Sequence, residues 1–169
     1  MDRIKKLRND ALNNTPFYGT FHLNFYKEIF KLGETISAGN YSIAYNKAFK
    51  AIEPVIDEGE LIVGKPVYNK KDESEWNLLK DEVLKKDIVA FVGQSSHMTV
   101  DYELLLDKGI IGIISEINNK LDKEEDKDKI EWYRCCIECL NAVLDFSDRY
   151  SQKAKDMADL EENADRKKS

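Results

Sequence analysis

One apolar stripe near the C-terminal end of the sequence constrains the fold more than any other feature. Between Ile130 and Ala158, apolar or small side chains recur at steps of three and four residues, without an intervening Gly or Pro. This spacing places them on one face of a long α-helix. The rest of the chain has only 8 Gly and 3 Pro and is rich in Lys, Glu, Asp and Leu, which also favours helix. The sequence therefore predicts a mainly α protein.

Shorter helical patterns fill the remainder of the sequence. We predict a single helical domain over residues 1–169, built as a helical bundle with one short strand-like segment. It divides into a three-helix opening (1–56), a short extended segment, helix and loop (57–99), and helices that end in the long C-terminal helix (100–169). The strand-like segment is the β-branched run that two glycines bracket in residues 59–64.

Composition and charge exclude several classes of protein. With 42% hydrophobic residues, the chain can bury a core, and a chain of this size buries roughly 70% of its unfolded surface. A formal net charge of −6 is poorly suited to a nucleic-acid backbone, so we expect no nucleic-acid partner. No window approaches the ~20 apolar residues of a membrane span, and no signal-peptide core follows Met1. We therefore expect a cytoplasmic protein with no membrane partner.

The three cysteines are Cys135, Cys136 and Cys139, all within the long helix. An odd number so closely spaced is not a disulfide framework. A structural zinc site usually needs four ligands, and the two histidines, His22 and His97, lie far away in sequence. Because free cysteine packs as a small hydrophobe, core packing is favoured over metal or redox work. We predict no metal site and no cofactor-binding residue.

His97 has the setting that best suits chemistry. It lies in a Gly/Ser-rich loop just before a helix that Thr99 or Asp101 can cap, and histidine is the commonest general acid or base. The carboxylates in Asp57–Glu60 are typical of a turn that faces water. A hydrolase centred on His97 would need convergent titratable groups around it. The residues themselves identify no catalytic group.

The segment from His97 to Ile114, which reads HMTVDYELLLDKGIIGII, resembles the glycyl radical enzymes, the pyruvate formate-lyase-like family. In that family a loop histidine often precedes an Asp-Tyr-Glu helix and a Gly-x-x-Gly helix junction. Three further pieces agree in order and character: Arg3–Arg8 followed by Thr15-Pro16, Ala48–Gly64, and the long helix around Arg149. The resemblance is closest to the branch of diol and glycerol dehydratases, choline trimethylamine-lyase and arylacetate decarboxylases.

This resemblance implies a lyase-like parent in anaerobic metabolism. Its chemistry uses a thiyl-forming cysteine and a C-terminal glycine loop, into which a radical-SAM activase installs the radical. Neither loop is in this sequence, and the three cysteines match no catalytic position. The resemblance therefore implies a truncated N-terminal region of such an enzyme, not catalytic alone. The alternative is a stand-alone helical interaction or regulatory subunit derived from the family, which Met1 and a short interval between Trp76 and His97 favour.

The resemblance also implies one site residue and a class of partner. In dehydratase-like members the matching loop histidine contacts substrate hydroxyls, which makes His97 a substrate-binding candidate, although Ser96 replaces the preceding glycine. In the full enzymes such helices cover a barrel. We therefore expect the aromatic-rich second and third helices and the Ile110–Ile117 helix to bury against each other or against a second chain. The partner is either another copy of this chain or a full-length glycyl radical enzyme.

Overall fold

The computed structural model describes residues 3–13, 19–33, 37–57, 60, 63–64, 67, 70–85 and 100–162. These residues form six α-helices: α1 (Arg3–Asn13), α2 (Thr20–Lys31), α3 (Ala38–Lys50), α4 (Lys70–Lys85), α5 (Tyr102–Leu121) and α6 (Lys127–Leu160). The predicted mainly α fold is confirmed. The strand-like segment lies partly outside the described residues, and its described positions are not in a strand. The three-part division of a single domain stays a prediction.

The core forms where α2, α3 and α4 meet. Phe25, Tyr26 and Ile29 of α2 are almost completely buried, and Trp76 of α4 closes over the Tyr26 ring at 5.8 Å between centroids. α3 presents the small side chains Ala44 and Ala48 to this cluster, and both are fully buried. Small residues at these positions let the aromatic rings of α2 come close to the α3 backbone. The aromatic residues of α2 and α3 therefore pack against each other. This is one of the two outcomes expected from the sequence, the other being burial against a second chain.

The long helix α6 packs along α3 and supplies the rest of the interior. Its first turn is capped by Asp126, whose carboxylate accepts hydrogen bonds from the backbone N–H groups of Asp128 and Lys129 at 2.9 and 3.2 Å. Farther along, the Phe146 ring lies 5.0 Å from that of Phe49 and 4.9 Å from that of Tyr150. With 34 residues, α6 spans about 51 Å and extends beyond its partner helix.

Arg149 of α6 binds the C-terminal end of α3. Its two terminal guanidinium nitrogens donate to the carbonyl oxygens of Ile52 and Phe49 at 2.6 and 2.7 Å. Its Nε donates to Asp145 at 3.1 Å. The last carbonyls of a helix have no partner inside the helix and carry the negative end of its dipole, so a cation there satisfies both needs. This contact fixes the end of α3 against the middle of α6.

Glu28 of α2 forms two ion pairs, one with Lys31 of the same helix and one with Lys47 of α3. Its carboxylate is nearly buried and accepts hydrogen bonds from the ammonium groups of Lys31 and Lys47, both at 2.6 Å. These two hydrogen bonds lower the pKa of Glu28 below its ordinary value of 4.5. The acid therefore stays ionised inside the helix pair.

Two helix boundaries differ from what the periodicity predicts. The sequence predicts a polar loop over Asn69–Ser74 and a helix from Trp76, but α4 already begins at Lys70. Acidic Asp72 and Glu73 in its first turn favour a helix start, and Asp72 also accepts a hydrogen bond from the Thr20 hydroxyl of α2. The expected break after Gly109 is present as a kink within α5, where Gly109 has φ 62° and ψ 173°. A positive φ is a conformation that favours glycine.

None of the described helices is both long and apolar enough to cross a membrane.

Replacing Arg149 with Ala should destabilise the protein by about 1–3 kcal/mol, because two carbonyls at the end of α3 lose charged hydrogen-bond donors. Arg149→Lys should lie between Ala and the natural residue, since an ammonium group lacks the planar fork that reaches both carbonyls. Urea unfolding followed by circular dichroism measures the difference. The control is Arg134→Ala, an exposed arginine on the same helix. Equal effects of Arg149→Ala and Arg134→Ala would show that the contact does not stabilise the fold.

Candidate functional site

The structure does not address the substrate-binding role implied for His97. This residue falls in residues 86–99, which lie outside the described part of the chain. Its role therefore stays a prediction. The Asp57–Glu60 group is described in part, and there the backbone N–H of exposed Asp57 donates to the Glu60 carboxylate at 3.0 Å. This is the local bonding of a turn.

The second histidine, His22, lies on α2 in an aromatic environment. Its ring meets that of Phe21 edge-on at 5.7 Å between centroids. Burial lowers the pKa of His22 below its ordinary value of 6.5. Because burial disfavours the charged form of the imidazole, the half-buried His22 is neutral at neutral pH.

The three cysteines lie on α6, and Cys139 is close to Tyr41 and Tyr45 of α3. Cys135 is buried, while Cys136 and Cys139 are half-buried. Burial raises the pKa of Cys136 and brings that of Cys139 to about 11. The thiolate is the form of cysteine that acts as a nucleophile and as a metal ligand. The raised pKa of Cys136 and Cys139 therefore makes both residues unsuited to either role. Among the described residues, no group of three His, Cys, Asp or Glu side chains could hold a metal ion.

Two tyrosines of α3 share this environment. The rings of Tyr41 and Tyr45 stack at 5.8 Å, and Tyr45 also lies 4.8 Å from Phe49. Burial raises the pKa of Tyr41, and burial with the neighbouring Tyr41 and Cys139 raises that of Tyr45 to about 12. The α3–α6 interior therefore holds protonated phenols and thiols and has the character of a packed core.

Two surface hollows are present in the described part of the chain. One, of about 320 Å³, lies between α2 and α4. Its lining residues are Leu23, Lys27, Glu75, Leu78, Leu79 and Glu82, and we call it the α2–α4 hollow. The other, of about 550 Å³, lies where the end of α5 meets the start of α6 and is lined mainly by charged residues, with Tyr133. Neither hollow contains a histidine or a cysteine, so neither assembles a nucleophile with a base.

The feature that most suggests function is the outer surface of α5. Half of its twenty residues are large and apolar, yet none of its side chains is buried. Tyr102, Leu106 and Ile111 are 61%, 84% and 73% exposed, and we call these three residues the α5 face. Within the described residues, α5 packs only against α6. A concentration of exposed apolar side chains on one element normally marks an interaction surface.

Sequence reasoning identified part of this surface and missed the rest. The isoleucines between Ile110 and Ile117 predicted a helix in need of cover. The exposure of Tyr102 and Leu106 was not foreseen, nor was the α2–α4 hollow. The available signal for the hollow was Leu78-Leu79, because Leu78 falls outside the apolar stripe of Trp76, Leu79 and Val83. Leu78 is 81% exposed.

The cysteine environment predicts low reactivity. At pH 8, iodoacetamide should label the cysteines of the folded protein at least about tenfold more slowly than an exposed thiol introduced by Lys153→Cys, because Cys135 is buried and burial raises the pKa of Cys136 and Cys139. Labelling should accelerate as the pH rises toward the pKa of Cys139, about 11. Intact-mass spectrometry over time measures both rates. Labelling of the native cysteines as fast as that of Cys introduced at position 153 would contradict the packed environment.

The comparisons with known proteins agree with this geometry. No curated protein sequence matches the chain. The family model described as "Pyruvate formate lyase-like" matches residues 67–169. Among solved structures, the chain is similar to the glycerol-bound form of the B12-independent glycerol dehydratase from Clostridium butyricum, with a TM-score of 0.74 and 18% identity. The match covers 99% of this chain and 29% of that chain, so this sequence spans less than a third of that dehydratase.

The structural likeness establishes a shared helical fold, and the family match covers well over half of the sequence. The chain belongs to the pyruvate formate lyase-like family, as its resemblance to the glycyl radical enzymes predicted.

Proposed function

We propose that this chain is the helical part of a glycyl radical enzyme, is not catalytic alone, and works by packing its α5 face against the catalytic body of a family member. The body is the remaining part of such an enzyme, in the same polypeptide or in a separate one. The α5 face is the single observation that carries this proposal.

The composition of α5 supports an interior position in a larger assembly. A helix that is apolar on several sides is normally covered on several sides. Fully burying one Leu or Ile side chain contributes about 1.5–3 kcal/mol, so Leu106 and Ile111 together represent several kcal/mol that this chain leaves unused. The α2–α3 core, by contrast, buries Phe25 and Tyr26 almost completely. The contrast supports a partner for the α5 face.

The coverage of the dehydratase match supports the catalytic body of such an enzyme as the partner that covers the α5 face. Nearly all of this chain aligns with 29% of that enzyme, which leaves most of the enzyme's length to supply other parts. The relative is described as binding glycerol and acting without B12. A related dehydratase chemistry would belong to the assembled protein, with the helical part as one wall.

The cysteines support the absence of chemistry in this chain alone. Radical chemistry in the family needs a thiyl-forming cysteine and a glycine that stores the radical. Cys135 is buried, and burial raises the pKa of the other two thiols. All three lie on α6, and neither of the two hollows described above is lined by a cysteine.

A stand-alone interaction or regulatory subunit is the second candidate, favoured by the short interval between Trp76 and His97. It uses the same α5 face, which would dock onto a full-length enzyme in trans. The reading frame around the sequence separates the two candidates. Continuation into a barrel and a glycine loop supports the first, and a stop codon after Ser169 beside a full-length homologue supports the second.

The absence of chemistry is tested by electron paramagnetic resonance. After anaerobic treatment with a radical-SAM activase, this chain alone should give no glycyl radical signal, whereas a full-length family member treated in parallel gives one. The full-length protein shows that the activase is competent. A glycyl radical doublet from this chain would refute the proposal that it is not catalytic alone.

Docking is tested with a charge placed in the α5 face. The chain should bind a full-length pyruvate formate lyase-like protein encoded in the same genome, and Leu106→Asp should raise the dissociation constant by at least about tenfold because a carboxylate enters an apolar contact. Asn118→Asp adds the same charge at an exposed polar position of α5 and should change it less than about twofold. Biolayer interferometry measures both. Equal binding by the two variants would exclude the α5 face as the docking surface.

A further inference from the structure

A single residue divides α5 into two helical segments. Gly109 has φ 62° and ψ 173°, a combination that is essentially confined to glycine. The segment before it carries Leu106 of the α5 face, and the segment after it carries Ile111. Glycine adopts the ordinary helical conformation as well, so a change in the dihedral angles of this one residue would turn the bent α5 into a straight helix.

The bend, rather than its own backbone conformation, requires glycine at position 112. Gly112 does not have a positive φ. In the bent helix, however, a Cβ at Gly112 would lie 2.9 Å from the Cβ of Lys108, closer than a Cβ atom approaches other atoms in proteins. On a straight helix, residues four apart have Cβ atoms about 5–6 Å apart, so a side chain would fit at this position. Gly112 therefore permits the bent form, which a side chain there would exclude.

Lys108 also connects the two segments by charge. Its ammonium group forms an ion pair with the carboxylate of Glu116, eight residues farther along α5. On a straight helix eight residues span about 12 Å, and ion pairs form between residues three or four apart. The Lys108–Glu116 ion pair is therefore a contact of the bent form. Both side chains are partly exposed, so the contribution of the pair is modest and decreases with added salt.

We propose that the bent form of α5 is the form that docks, that the two glycines permit the bend, and that the Lys108–Glu116 ion pair holds it. This inference rests on the proposed docking of the α5 face. Five residues do not complete a whole number of helical turns, so a straight α5 would direct Leu106 and Ile111 to different sides. A partner that fits both side chains on the bent helix would lose contact with one of them on the straight helix, and it discriminates between the two forms by that contact.

Residual dipolar couplings of the backbone N–H groups measure the angle between the two segments in solution. In the natural protein the segments should fit two different directions. Gly109→Ala should bring both onto one direction, because alanine is strained at a positive φ and favours the regular helix. Gly112→Ala should do the same, because its Cβ collides with Lys108 only in the bent form. The control Ser115→Ala also raises helix propensity, at an exposed position of α5, and should leave the bend unchanged.

Docking of the same variants is compared by biolayer interferometry with the full-length family member. Gly109→Ala and Gly112→Ala keep every apolar side chain of the α5 face, yet each should raise the dissociation constant by at least about tenfold, because the docking form becomes a minor population. Ser115→Ala should bind within about twofold of the natural protein. Circular dichroism should show that both glycine variants keep at least the natural helix content, which separates straightening from unfolding.

A double-mutant cycle in urea unfolding tests the ion pair. Lys108→Met and Glu116→Gln each remove one charge at similar side-chain length. In the natural background, the coupling between them should correspond to about a two- to fivefold factor in the equilibrium constant for unfolding. In the Gly109→Ala background the coupling should vanish, because a straight helix separates the two side chains.

Any of four results would overturn the inference: a natural protein whose two segments share one direction, glycine variants that stay bent, straightened variants that bind as tightly as the natural protein, or a coupling between Lys108 and Glu116 that is the same in both backgrounds. Failure of the proposed function gives a different result. In that case the natural protein does not dock, or Leu106→Asp and Asn118→Asp dock equally, whatever the angle of the bend.

Discussion

The contact between α3 and α6 connects the two halves of the described structure. α4 packs on α2, α2 packs on α3, and α5 packs on α6, so each half reaches the other only through this helix pair. Near the start of α3, Gly39 lies so close to Glu131 that an added Cβ would stand 3.3 Å from its carboxylate oxygen. One turn farther along, the buried Ser42 hydroxyl donates to Glu138 at 3.0 Å. At the other end, Arg149 donates to the carbonyl of Phe49 in the last turn of α3 and to that of Ile52 just beyond the helix. α3 and α6 therefore come close at small residues near the start of α3, and a cation joins them near its end.

This arrangement explains why some of the structure was predictable from the sequence and some was not. The helices follow from apolar spacing, and the kink follows from Gly109, because both signals are local. The start of α4 was misjudged because Asp72 and Glu73 read as loop residues, while their position at a helix N-terminus makes them favourable. The role of Arg149 depends on a helix about a hundred residues earlier, so no local pattern reveals it.

Local patterns also do not show which apolar helices bury their side chains within this chain and which leave them exposed. Aromatic residues in α2 and α3 and isoleucines in α5 gave similar signals of a need for cover. The difference lies in what stands opposite them. Ala44 and Ala48 allow α3 to come close to α2, which closes the aromatic cluster. Among the described residues, α5 packs only against α6, and Leu106 and Ile111 stay exposed. An apolar pattern predicts burial, but the partner that provides burial is a tertiary property.

The direction of the α5 face depends on two glycines. On a straight helix, Leu106 and Ile111 would point about 140° apart, because five residues turn the helix by that amount beyond one full turn. The positive φ of Gly109 breaks the regular helical turn between the two residues, so their side chains do not keep this angle. Gly112 supports the interruption, since a Cβ there would lie 2.9 Å from the Cβ of Lys108. The Lys108 ammonium group in turn pairs with Glu116 across the kink. The backbone at Gly109-x-x-Gly112 therefore sets how the first turns of α5 are directed relative to the rest of the helix. This gives the Gly-x-x-Gly pattern a physical role, because it determines the relative direction of the exposed apolar side chains on either side of the kink.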